Sequence, residues 1–167
     1  MQLPIIQDPD QNFMLMQTKW KSILDPQLGI ASLMSPFRIT GCTTAVSTTP
    51  TPLIFSNPTF NPSSNYNSNN GFFTFPTDGI YQVSCFIETA SGSWSAGDRL
   101  EMYTYINGSG NSYLGRVISP TATAVMGVGG IDLLNVNAGQ LLTIQVFSEV
   151  STTVSTFQSY LNVVQLA

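Results

Sequence analysis

The 167-residue sequence predicts an all-β fold, an antiparallel sandwich with one short α-helix near its N-terminus. Three observations predict it. From Gly71 onward, apolar residues alternate with polar ones at the period of a strand: Phe73 and Phe75 flank Thr74, and Tyr81, Val83, Cys85 and Ile87 oppose Ile80, Gln82, Ser84 and Phe86. Turn signals recur between these runs, at Pro76-Thr77-Asp78-Gly79, Asn107-Gly108 and Asn137-Ala138-Gly139-Gln140. Charged residues make up only 8% of the chain, far below the usual share of about 25%. Ser, Thr, Asn and Gln keep the surface wet instead, and as a group they suit strands and turns better than exposed helices.

The chain divides into an N-terminal attachment segment, residues 1–37, and a head domain, residues 38–167. Asp10 can cap a helix over 11–25, which Pro26 ends. Phe13, Met16, Trp20, Ile23 and Leu24 recur at three- and four-residue spacing and form its apolar face. A helix this short is marginal alone, so that face is expected to dock. The occupant is the head domain itself, the same helix of another copy, or a larger partner.

Residues 38–48 begin to look like a strand, and Leu53-Ile54-Phe55 forms a short one. The run Ser63 to Asn70 is a polar, exposed turn region. Strands are expected at 72–75 and 80–89, with Ile80 in a buried strand. Ser91 to Asp98 is a loop, in which Trp94 among serines is a candidate exposed platform for a sugar and, on the plainer reading, a loop or interface anchor. The strand at 100–106 ends at Asn107-Gly108, a strong hairpin signal, with Tyr113 to Ser119 as its partner. Further strands are expected at 121–134, 141–150 and 157–166.

Several function classes fall away. The net charge is −4 with five basic residues, Lys19, Lys21, Arg38, Arg99 and Arg116, too few for a nucleic-acid surface. Histidine is absent, which removes the commonest general base and imidazole metal ligands. No apolar run reaches the roughly 20 residues of a membrane span, and the N-terminus has no signal-peptide pattern. Carboxylates are the remaining catalytic option, as Asp98 with Glu101 or Asp78 with Glu88, but nothing fixes their separation. A hard cation could take Asp78, Asp98 or Asp132 with loop carbonyls, yet no ligand cluster is visible. The expectation is a protein that is no enzyme and holds no cofactor. Cys42 and Cys85 are either one disulfide or, on the simpler reading, buried free thiols.

Residues 43–167 resemble the complement globular-head family, which shares its jelly roll with the tumour necrosis factor cytokines. The most specific part is Phe73-Thr74-Phe75-Pro76-Thr77-Asp78-Gly79-Ile80-Tyr81-Gln82-Val83-Ser84, an aromatic strand, a proline-glycine turn and a Gly-apolar-Tyr strand opening. Leu100 to Gly108, Leu133 to Leu141 and Phe157 to Val164 support it. Gln140 departs from the acidic residue usual after the turn glycine. The resemblance implies a jelly-roll homotrimer with apolar strands around the three-fold axis. Phe72, Tyr103, Tyr105, Tyr113 and Tyr160 are the candidates for that interface, being more aromatics than one small core needs.

The stretch Gln17 to Leu28, with Gln-x-x-Trp and Leu-x-Pro-x-Leu, resembles the opening of tail-region proteins of tailed bacteriophages. Together the two resemblances imply a virion structural protein: a short tail fibre or tail appendage held through the helix around Trp20 by a tail nozzle or adaptor, with a host-surface glycan as a further partner. A capsid decoration protein and a soluble lectin-like module are the alternatives.

Overall fold

A computed structural model describes residues 36–60, 65–122 and 124–167. The helix expected at 11–25, with its face of Phe13, Met16, Trp20, Ile23 and Leu24, lies outside the described residues.

The described strands are β1 (Phe37–Cys42), β2 (Ala45–Val46), β3 (Thr51–Pro52), β4 (Phe55–Phe60), β5 (Tyr66–Asn67) and β6 (Phe72–Thr74). They continue as β7 (Gly79–Glu88), β8 (Arg99–Ile106), β9 (Ser109–Ile118) and β10 (Gly127–Val136). The last are β11 (Leu141–Ser148), β12 (Thr152–Thr153) and β13 (Tyr160–Gln165). Five form one sheet in the order β10-β7-β13-β1-β4. A second sheet runs β5-β6-β11-β8-β9, with β3 added beside β11. Every described pairing is antiparallel. The crossovers between the two sheets make the sandwich a jelly roll.

Alternation decides which residues enter the core. Tyr81, Val83, Cys85 and Ile87 of β7 are buried between the sheets, facing Leu142, Ile144 and Val146 of β11 and Leu100 and Met102 of β8. A chain of rings links the two layers. Tyr66 lies 5.7 Å from Phe37, Phe37 5.2 Å from Phe73, Phe73 5.5 Å from Phe75, and Phe75 4.7 Å from Tyr81. These separations suit tilted and edge-on aromatic packing. The strand–turn–strand of 72–89 therefore crosses from one sheet to the other through the core.

Asn107-Gly108 forms the expected hairpin, with φ of 52° and 79°. Positive φ at both central residues matches the twist of the flanking strands. At the far side the two sheets meet. A side-chain carbon at Gly130 would lie 1.7 Å from the Leu114 carbonyl oxygen, and one at Gly115 would lie 2.7 Å from that of Gly129. The glycines let β9 and β10 approach until the sandwich closes along that edge.

Four expectations are corrected. Ile80 is not buried: it is 43% exposed on the outer face of β7, because Tyr81 takes the inward position. The polar run 63–70 contains strand β5, and the Tyr66 hydroxyl accepts a hydrogen bond from the Phe55 amide at 2.9 Å, tying the turn to the core. The strand expected at 121–134 begins only at Gly127. Before it, Ala124 and Met126 carbonyls accept from the Gly92 and Thr89 amides, a loop-to-loop pairing that alternation among small residues does not foretell. Trp94 does not stand in solvent, as described next.

Candidate functional site

Trp94 is 2% exposed, so its ring is not an outward sugar platform. It plugs one end of the core beside Gly92, where a side-chain carbon would sit 3.0 Å from the indole Nε1. That nitrogen has no hydrogen-bond partner among the described residues. Flanking serines make the loop look exposed in the sequence, and only the fold turns the ring inward.

The outer face of the five-stranded sheet is mixed, with a cluster of exposed aliphatic side chains toward β10. Ile131 and Leu133 project from β10 with 67% and 63% of their surface exposed, and Ile80 and Leu166 join them from the neighbouring strands. Tyr160 stacks on Phe86 at 6.1 Å, and the Arg38 guanidinium lies 4.7 Å over the Tyr160 ring. An open concavity of about 420 Å³ lies beside them, lined by Arg38, Thr59, Gln82, Ser84, Asn162 and Val164 among others. Arg38 and Glu88 are the charged residues of this face among the described residues. Registers explain the belt: Ile131 opposes Ser84 and Leu133 opposes Gln82, so the aliphatics of β10 share one side with the polar half of β7.

The outer face of the six-stranded sheet has a different character. Strand register puts Arg116 opposite Glu101, and Tyr113 opposite Tyr103. The Glu101 side chain is 8% exposed and takes Arg116 Nε at 3.3 Å and Arg99 Nη1 at 3.5 Å. The Tyr103 hydroxyl donates to it at 2.5 Å. Glu149, 50 residues further on, binds Arg99 through Nη2 at 2.7 Å and Nε at 3.0 Å. Tyr103 and Tyr113 meet edge to face at 5.1 Å. The hydrogen bond to Glu101 is the main reason the Tyr103 hydroxyl is pushed up to about 12. The hydrogen bonds from Arg99 hold the Glu149 carboxyl below its ordinary value.

Of the interface candidates, Tyr160 thus lies on the five-stranded sheet, while Tyr103, Tyr105 and Tyr113 lie on the six-stranded sheet together with Phe72 of β6. The candidate carboxylates serve the loops. Asp78 accepts from the Ala138 amide at 2.7 Å and Asp98 from the Ser95 amide at 2.6 Å. Asp132 turns inward, where Thr104 donates to it at 2.8 Å and Ser112 also binds it. Among the described residues no three His, Cys, Asp or Glu side chains gather as a metal site would need. Cys42 and Cys85 are separate, buried thiols, and desolvation raises both pKa values. Strand alternation already hints at the Arg99–Glu101 pair, two residues apart on one face. Arg116 and Glu149 needed the hairpin register and the path of β11.

No protein-family model matches the chain, and no curated protein matches it. Solved structures do. The globular domain of the zebrafish complement 1qA protein superposes with a TM-score of 0.58 at 13% identity, over 80% of this chain and 98% of that one. The Eiger tumour necrosis factor of S. frugiperda gives 0.59 at 15% identity, over 79% of this chain and 92% of that one. Murine APRIL gives 0.56 at 14% identity, over 79% and 98%. At such low identity the likeness establishes the fold, and the fold the chain shares with these proteins is the jelly roll of the complement globular heads and tumour necrosis factors.

Proposed function

We propose that this protein is a non-enzymatic, self-associating module, a homotrimer whose copies meet on the outer face of the five-stranded sheet. One observation carries the reading: Ile131 and Leu133 stand about two-thirds exposed beside Ile80 and Leu166 on a face with few charges. An isolated antiparallel sheet facing water would alternate apolar-in and polar-out. A cluster of exposed aliphatics is instead the mark of an interface core, from which charged residues are depleted. Three-fold closure is the arrangement implied by the family resemblance of residues 43–167. Native mass spectrometry of the full chain tests it, with three copies as the expected mass. Ile131→Asp combined with Leu133→Asp is expected to give a monomer with unchanged near-ultraviolet circular dichroism. A monomeric wild type, or a variant that stays trimeric, would overturn the reading.

The proposal extends to location. The segment that precedes β1 anchors the trimer in a virion as a tail fibre or tail appendage, on the strength of the phage-like stretch Gln17 to Leu28, while Phe37 belongs to the head. Trp20→Ala is the direct check, since tryptophan is the residue type that anchors interfaces. The variant is expected to remain trimeric but to be missing from purified particles; normal incorporation would count against the attachment role.

A further inference from the structure

The outer face of the six-stranded sheet is left uncovered by the self-association just proposed, and the inference takes that face as free. Charge is scarce in this chain, yet Arg99 and Arg116, two of its three arginines, converge there on Glu101. Glu101 is nearly withdrawn from water and is held by three neighbours, the third being the Tyr103 hydroxyl. Glu149 fixes Arg99 from the other side. Such wiring sets the side-chain rotamers in advance, so a ligand meets groups that need little further ordering. Arg116 engages Glu101 through Nε alone, and its two terminal nitrogens find no acceptor among the described residues. Beside it, Tyr113 is 49% exposed, its ring fixed edge to face against Tyr103.

The geometry points to a binding site for an acidic saccharide, one carrying a sialic or uronic acid. The apolar C–H face of a sugar ring packs on an exposed aromatic such as Tyr113. The unpartnered fork of Arg116 matches a carboxylate. A neutral sugar would leave the Arg116 fork unmatched.

The test uses the full-length protein, with sialyllactose and an oligogalacturonate as acidic probes and lactose as the neutral control. Saturation-transfer NMR should show transfer to at least one acidic probe and none to lactose. Arg116→Gln should weaken that binding by about tenfold or more, the loss of a charge-assisted hydrogen bond. Tyr113→Ala should abolish it, and both variants should keep the wild-type oligomer mass and melting temperature. Failure of both acidic probes to bind overturns the site. So does equal binding of lactose, or wild-type binding by both variants. A change of oligomer mass in Tyr113→Ala would assign this face to contacts between copies and overturn it as well. The variant Ile131→Asp with Leu133→Asp leaves this patch intact, so the two readings fail separately.

Discussion

Two tyrosines carry a pH signature that the residue scale explains. Burial is the main cause that pushes Tyr66 up to about 12, and the Glu101 hydrogen bond does the same for Tyr103, from an ordinary value of 10.0. Both groups are neutral when protonated, and folding raises their pKa. The folded state therefore holds more protons than the unfolded one between the two values. Their contribution is fully present below pH 10 and is lost as pH rises through about 12. Absorbance titration of tyrosinate in the folded protein should show Tyr66 and Tyr103 as its late-titrating groups, with Tyr113 also raised by burial and by the Glu101 charge. Glu101→Gln should bring Tyr103 down, with Tyr113 following, and leave Tyr66 where it is. A titration unaltered by that substitution would contradict the Tyr103–Glu101 bond. Nothing in the sequence marks Tyr103 off from Tyr105, two residues away on the same strand. Their difference lies in which one reaches a carboxylate.

At the scale of elements, the closed edge between β9 and β10 is the most demanding piece of packing. Gly130 faces the Leu114 backbone, which cannot rotate away as a side chain would. Gly130→Ala must push the two strands apart, and overpacking of this type costs about 1–3 kcal/mol. Urea unfolding should show a midpoint lowered accordingly, whereas Gly97→Ser, with nothing within 4 Å of its added carbon, should lose only what its φ of 94° demands. Equal midpoints for Gly130→Ala and wild type would refute the close approach. Strands with clear alternation and sharp turns were legible in advance: β7, β8 and the Asn107-Gly108 hairpin lie where the sequence puts them. The misplaced start of β10 has a physical cause. Residues 121–126 alternate, but alternation gives a strand only when a neighbouring edge is there to pair with it. The Ala124 and Met126 carbonyls are taken instead by the Gly92 and Thr89 amides.

For the whole molecule, the two outer faces differ in emphasis: the cluster of exposed aliphatics lies on the five-stranded sheet beside Tyr160, and the ion pairs with Tyr103, Tyr105 and Tyr113 lie on the six-stranded sheet. Assembly through the first should respond little to salt, because screening acts on charges and that face has few. The dilution midpoint for trimer dissociation is expected to be nearly the same in low salt and in 1 M sodium chloride, where the screening length is about 3 Å. A large salt-dependent shift would point to the Arg99–Glu101–Arg116 face as the contact between copies.

The sequence by itself determined the antiparallel sandwich, because period-two alternation and turn chemistry are local properties that survive in one dimension; the jelly-roll order of its strands was implied only by the resemblance of residues 43–167. It determined the shortage of charge and the aromatic centre at 72–81 for the same reason. The tertiary structure alone decided three things. It drew Trp94 inward, turned Ile80 outward, and brought Arg99, Glu101, Arg116 and Glu149 to one patch. Each depends on which strand lies beside which, and at what register. A one-residue shift of register exchanges the buried and exposed faces of a strand, so side-chain direction is settled only when the sheets are paired.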